Sequence, residues 1–308
     1  MKNDAFTEET NAGFTEETNA GFVALIGRPN AGKSTLMNSL LGENIAMVSQ
    51  KANATRKRSN AIVMYKNTQI IFVDTPGLHE REKVLNQFML DEALKAMGDC
   101  DLIVYLAPVT DNVENYEKFL KLNNSKIKHL IVLSKIDQVS QEKLFKKIAQ
   151  YNQFSDNFEA LIPMAVPKKV GHEDLLKTIS KLLPKSPFLF NPEDLTSELV
   201  RDIYAGFIRE GVFENVSDEI PYESDVLIEK IYEEKNIDKI IATIIVEKES
   251  QKGIIIGKGG ESIKRIGKYS REKIEALSGK KAYLDLQVVV KKGWSKDKSY
   301  LKEVGYSS

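Results

Sequence analysis

The sequence predicts an α/β domain with a mainly parallel sheet, followed by a smaller α+β domain. Three observations carry this reading. Short apolar strands alternate with amphipathic helices up to about residue 183, the rhythm breaks at a cluster of prolines, and the balance of charge then changes sign. The 308 residues suit two domains of about 150 residues each. A composition that is 42% hydrophobic and 29% charged is that of a folded chain.

The first stretch begins with a direct repeat: FTEETNAG at Phe6–Gly13 recurs as Phe14–Gly21. It is too short and polar to bury a core, so residues 1–20 are expected to be a flexible leader. Strands are expected at Phe22–Ile26, Ala61–Tyr65, Gln69–Val73, Leu102–Ala107, Leu130–Leu133 and Ala160–Pro163. Helices are expected at Lys33–Leu41, Asn86–Met97, Asn112–Leu122, Gln141–Tyr151 and Glu173–Leu183. Residues 21–184 form the first domain, and Pro184, Pro187 and Pro192 mark a linker at 185–195. The second domain, 196–295, has a helix at Thr196–Glu210, strands at Val226–Tyr232 and Lys239–Val246, a helix at Glu261–Leu277 and a strand at Ala282–Val290. Residues 296–308 read as a tail.

No apolar run reaches the roughly 18 residues that span a bilayer, and the acidic start is not a secretory signal. A single cysteine, Cys100, cannot form an internal disulfide and is expected in the core of a cytosolic protein. From Gln251 to Ser308 there are 14 Lys and Arg against 6 Asp and Glu, a net +8 that leaves −8 on the rest. Such asymmetry points to a polyanionic partner at the C-terminal end.

The strand ending at Ile26 runs into Gly27-Arg28-Pro29-Asn30-Ala31-Gly32-Lys33-Ser34, the pattern G-x-x-x-x-G-K-S between a strand and a helix. Glycines let backbone N–H groups turn onto phosphate oxygens, and the N-terminus of the helix containing Thr35 adds its positive dipole end. Lys33 is expected to reach the β- and γ-phosphates and Ser34 to ligate Mg²⁺. Asp74-Thr75-Pro76-Gly77 follows an apolar strand, where Asp74 would act on Mg²⁺ through water and the Gly77 N–H on the γ-phosphate. Thr55 lies between the two motifs, in the order expected of a metal-binding switch threonine.

Ser134-Lys135-Ile136-Asp137 addresses the base. The Asp137 carboxylate matches guanine N1 and N2, and Lys135 would lay its stem along the purine. GTPases usually carry asparagine at the first position, so Ser134 is expected to remove an amide that braces the loop and touches the base. Met164-Ala165 stands where GTPases carry S-A, with the Ala165 N–H facing the guanine carbonyl. Leu78 takes the place of the water-positioning glutamine of Ras-like GTPases, which predicts slow intrinsic hydrolysis.

Toward the C-terminus, Ile254-Ile255-Ile256-Gly257-Lys258-Gly259-Gly260 precedes a helix carrying Lys264, Arg265 and Lys268. A G-x-x-G loop is the signature of a KH domain, which clamps about four nucleotides of a single strand. Ile256, Gly257, Lys258, Gly259 and Gly260 with those three cations form the candidate RNA site. Trp294 is open to either a stacking or a core role.

Taken together, G-R-P-N-A-G-K-S-T-L, K-A-N-A-T-R-K-R, D-T-P-G and I-I-I-G-K-G-G resemble the Era family of bacterial GTPases, from about Gly21 to Trp294. The resemblance implies a P-loop GTPase domain followed by a type II-like KH domain. It also implies a GTP/GDP and Mg²⁺ switch, monomeric, that binds the 3′ end of 16S ribosomal RNA and acts in assembly of the small ribosomal subunit. The family is cytosolic with some peripheral contact with the inner membrane. In relatives with G-x-x-N-x-G-K-S the asparagine helps hold K⁺ against the phosphates, a role that would fall to Asn30. Three rival readings remain at this point: a constitutive RNA-binding protein with a weak nucleotide site, a GTPase whose basic end serves anionic lipid, and a P-loop ATPase.

Overall fold

The computed structural model describes residues 17–47, 55–77, 84–216, 219–303 and 306. Leu78 and residues 1–16 of the leader lie outside them, as do Lys51–Ala54. The first sheet has six strands, β1 (Asn19–Gly27), β2 (Ser59–Tyr65), β3 (Thr68–Asp74), β4 (Leu102–Pro108), β5 (His129–Ser134) and β6 (Ala160–Pro163), in the order β2-β3-β1-β4-β5-β6. Only β2 runs antiparallel to its neighbour.

The two-residue period of a strand sorts this core. Val23 and Leu25 face one side with α1 (Lys33–Leu41) and α5 (His172–Leu182). Ala24 and Ile26 face the other, under α2 (Val84–Asp99), α3 (Glu114–Leu122) and α4 (Gln141–Asn152). Every residue of β3, β4 and β5 is buried, as helices on both faces require. Cys100 is buried in the second of these layers, and burial pushes its thiol up to about 12.

The expected leader, 1–20, overlaps the first strand. Residues 17–20 already belong to the fold: β1 starts at Asn19, and its side-chain amide donates to the carbonyls of Ser180 and Leu183. Nor is the linker a free tether. Gln69 holds the Leu189 and Phe190 amides, and the Ile62 N–H of edge strand β2 donates to the Leu195 carbonyl at 2.9 Å. Thr196 and Glu198, read from the sequence as helical, instead bond both backbone groups of Asn60. Their engagement with the sheet edge delays α6 to Val200–Asn215.

The second sheet, β7 (Ser224–Glu233), β8 (Ile237–Val246) and β9 (Lys281–Val290), places β8 centrally, antiparallel to β7 and parallel to β9. It packs on α6 and α8 (Glu261–Ser278). Two helices were not expected, and the first, α7 (Glu249–Ile256), precedes the glycine loop, its first turn held by the Gln251 side chain, which accepts from the Glu247 and Lys248 amides. The tail also folds: Tyr300 and Leu301 of α9 (Lys298–Glu303), with Tyr306 and the fully buried Trp294, pack between Met89 of α2 and Ile245 of β8. Trp294 is therefore a core residue, its indole donating to the Glu223 carbonyl. Among the described residues no helix is long and apolar enough to cross a membrane.

Candidate functional site

Gly27 closes β1 where an added Cβ would lie 2.6 Å from the Leu106 carbonyl oxygen, so only glycine lets the loop start against β4. Two residues of the loop take left-handed backbone, Asn30 (φ 61) and Gly32 (φ 102), and Ala31 between them is buried. Gly32 caps α1, in which Lys33, Ser34 and Thr35 form the first turn. The four N–H groups at such a terminus lack helical acceptors and face the phosphate position. Lys33 is 6% exposed and folds back on the Gly27 and Arg28 carbonyls at 3.2 and 3.1 Å. Burial lowers its ammonium to about 8, with Asp74 partly offsetting the shift.

The three residues expected at the metal meet in space. Ser34 Oγ donates to Asp74 Oδ2 at 2.5 Å, and Thr55 Oγ1 stands 3.1 Å from Ser34 Oγ and 3.4 Å from Asp74 Oδ2. Asp74 is fully buried, burial raises its carboxyl, and its Oδ1 has no hydrogen-bond partner. These residues fit magnesium. They are hard oxygen donors, the orphaned Oδ1 awaits a partner, and the 3.1 Å spacing of the two hydroxyls is near the roughly 2.9 Å between adjacent ligands of an octahedral ion. Gly77 packs on the loop itself, where a Cβ would lie 2.5 Å from the Pro29 nitrogen.

On the base side, Ser134 ends β5 and its Oγ donates to the Ala31 carbonyl at 3.1 Å. The expected loss of the brace is thus corrected: the shorter serine still ties the base loop to the phosphate loop. Lys135 takes φ 60 and its ammonium donates to the Asn30 carbonyl at 2.9 Å. Asp137 lies in the next turn, with Lys168 Nζ 4.0 Å from its carboxylate. Met164 is fully buried in the core, its N–H donating to the Leu133 carbonyl. The Ala165 N–H donates to the Val170 carbonyl at 3.3 Å and so points into the protein here.

The glycine loop joins α7 to α8 through left-handed glycines, with φ 73 at Gly257, 62 at Gly259 and 79 at Gly260. Gly257 is also sterically required, since its Cβ would lie 2.8 Å from Ser262 Cβ. Lys258 and Gly259 are exposed, Ile256 is half-buried and Ile255 is core. Along α8, Lys264 and Lys268 join Arg271 at helical spacing and, with Tyr283 on edge strand β9, line a shallow cavity of about 420 Å³. Arg265 is exposed but does not line that cavity. Sequence reading missed Arg271 and Tyr283; the i, i+4, i+7 spacing from Lys264 was the available signal for the arginine.

Comparison with known proteins agrees with this geometry. A family model described as a 50S ribosome-binding GTPase matches residues 22–135, and a KH domain model matches residues 219–295. The protein is thus a GTPase of the P-loop class that carries a KH domain. GTPase Era of Helicobacter pylori strain P12 is 51% identical over 290 residues, covering 92% of this chain and 96% of that protein. GTPase Era of Campylobacter hominis is 50% identical over 282 residues, covering 92% and 97%. Two solved structures superpose on 94% of the chain and 100% of their own. Aquifex aeolicus Era bound to GDP·AlF4− does so with a TM-score of 0.90 at 32% identity. Era in complex with MgGDPNP and nucleotides 1506–1542 of 16S ribosomal RNA has a TM-score of 0.89 at 33% identity. The chain belongs to the Era family of GTPases.

Proposed function

We propose that this GTPase is a magnesium-dependent switch that grips the 3′ end of 16S ribosomal RNA through its KH domain and acts in assembly of the small ribosomal subunit. The observation that carries the reading is the convergence of Ser34, Thr55 and Asp74 in a chain that also bears the 257–260 loop. Ser34, Thr55 and, through water, Asp74 would hold Mg²⁺, which would supply charge to neutralise the phosphates. Thr55 then registers the γ-phosphate, and Gly77, free of a side chain, brings its N–H to the same group. Lys33 exchanges the carbonyls of Gly27 and Arg28 for phosphate oxygens. Asp137 reads guanine N1 and N2. The donor to the guanine carbonyl is the Val166 N–H rather than that of Ala165, which is spent on Val170. Val166 opens the single turn Val166–Lys168, whose first amides have no internal acceptor.

On the RNA side, Gly257–Gly260 lets a phosphate backbone approach closely. Lys258, Lys264, Lys268 and Arg271 neutralise it, and Ile256 and Tyr283 offer bases a surface. Ribonucleoprotein capture by cross-linking in cells, with sequencing of the bound RNA, tests the partner, and reads spread without enrichment over ribosomal RNA would reject it. Gly259 has open space where a Cβ would go but a left-handed φ of 62, so Gly259→Asp, with thermal melting as its folding control, tests the clamp and should abolish RNA binding. Lys33→Ala should abolish GTP hydrolysis. Asn30 is assigned a K⁺-holding role, and equal turnover in sodium and potassium buffers discards it.

A further inference from the structure

We infer that Arg56 is the positioning residue that ties the state of the nucleotide site to the placement of the KH domain, an inference that rests on the switch reading above. Arg56 directly follows Thr55, so their Cα atoms are held about 3.8 Å apart. While Thr55 stands at the metal position, the Arg56 side chain crosses into the other domain and is only 2% exposed. Its Nη1 donates to the Ser224 carbonyl at 2.7 Å, and its Nη2 to those of Pro221 and Tyr222 at 2.9 and 3.0 Å. The Asp225 carboxylate lies 3.9 Å away and is shared with Arg209 at 3.5 Å and the Tyr306 hydroxyl at 2.9 Å. A planar fork of donors suits this set of carbonyls in a way that a single ammonium does not.

The N-terminal flank of the same segment is pinned too. Met47 packs on Phe213 and half-buried Tyr222 of the KH domain, and Arg209 Nε lies 3.4 Å from its sulfur. Met47 and Arg56 thus both contact the same partner domain. A displacement of Thr55 pulls on the buried guanidinium one residue away, and a guanidinium withdrawn leaves three carbonyls without this donor. Arg56 is either seated or out, which is the discrete kind of element that a switch requires. Linkage makes the effect mutual: RNA that favours this KH placement favours GTP over GDP.

The test compares the full-length protein with Arg56→Ala and Arg56→Lys. Affinity for an RNA oligonucleotide of the 16S 3′ end is measured with GDPNP and Mg²⁺ and again with GDP, alongside GDP affinity and thermal melting. The ratio of the two RNA affinities should fall to within about twofold of unity in Arg56→Ala, with GDP affinity retained and Arg56→Lys intermediate. A residue serving only interface packing would shift melting and leave the ratio alone. Arg56→Ala that binds GDP yet keeps the wild-type ratio overturns the inference. If Arg56→Ala does not fold, a wild-type ratio in Arg56→Lys overturns it equally. Wild-type protein whose RNA affinity ignores the nucleotide sinks the switch reading itself, a different outcome from a variant that leaves the ratio intact.

Discussion

Lys33 pairs a short lever with a large electrostatic consequence. With its folded-state ammonium at about 8 against the ordinary lysine value of 10.5, the native protein binds this proton more weakly than the unfolded chain does. The resulting cost to stability is in full force below about 8 and is relieved as pH rises from there toward 10.5. A phosphate restores the charged form, so nucleotide binding above pH 8 should take up a proton. Calorimetric titration of GDP at about pH 8.5 in buffers of different ionisation heat should show that uptake, and Lys33→Ala should lose it. At the base, Ser134→Ala removes a buried bond to Ala31 and should weaken GDP binding by about 1 kcal/mol, close to fivefold. Ser34, Thr55 and Asp74 were legible because short motifs in a fixed order imply their meeting. The Ala165 amide was misjudged because a local bond to Val170 decides where it points. Arg56 gave no sign at all: in sequence it is one cation in a basic stretch, and only the fold reveals four acceptors around it.

The pairing of α6 with α8 is set by a close approach. A Cβ at Gly211 would come within 2.6 Å of Ser270 Oγ and 3.2 Å of the Ile266 carbonyl oxygen. Ser270 itself donates back to Ile266 at 2.8 Å. Gly211→Ala should therefore push the two helices apart and cost about 1–3 kcal/mol, read as a lower melting temperature. The strands were legible to within three residues at each end because apolar runs bounded by turns leave little choice. The helix α7 was not: its eight residues include Gly253 and an unbroken Ile254–Ile256, which hides a helical period, and only Ile255 of the three isoleucines is fully buried. The start of α6 was missed for a tertiary reason, since Thr196 and Glu198 are drawn to the edge of β2.

At the scale of the whole molecule the two domains share packing that a motif search cannot see. Trp294, Tyr300, Leu301 and Tyr306 fill the space between α2 and β8. Trp294→Ala should cost about 3–5 kcal/mol, measured by denaturant unfolding, with both domains losing stability together. Proline spacing and composition carry no trace of how closely the segments around residues 185–198 adhere to the sheet. The strap of residues 189–198, held by Gln69 of β3 and by the backbone of β2, shows why this matters. Cutting the chain after Pro184 would strip the amides of an outermost strand and invite it to recruit a strand from a neighbouring molecule. Light scattering on such a fragment should reveal self-association, so biochemistry done on the isolated catalytic half would describe a sticky artefact rather than half of a machine.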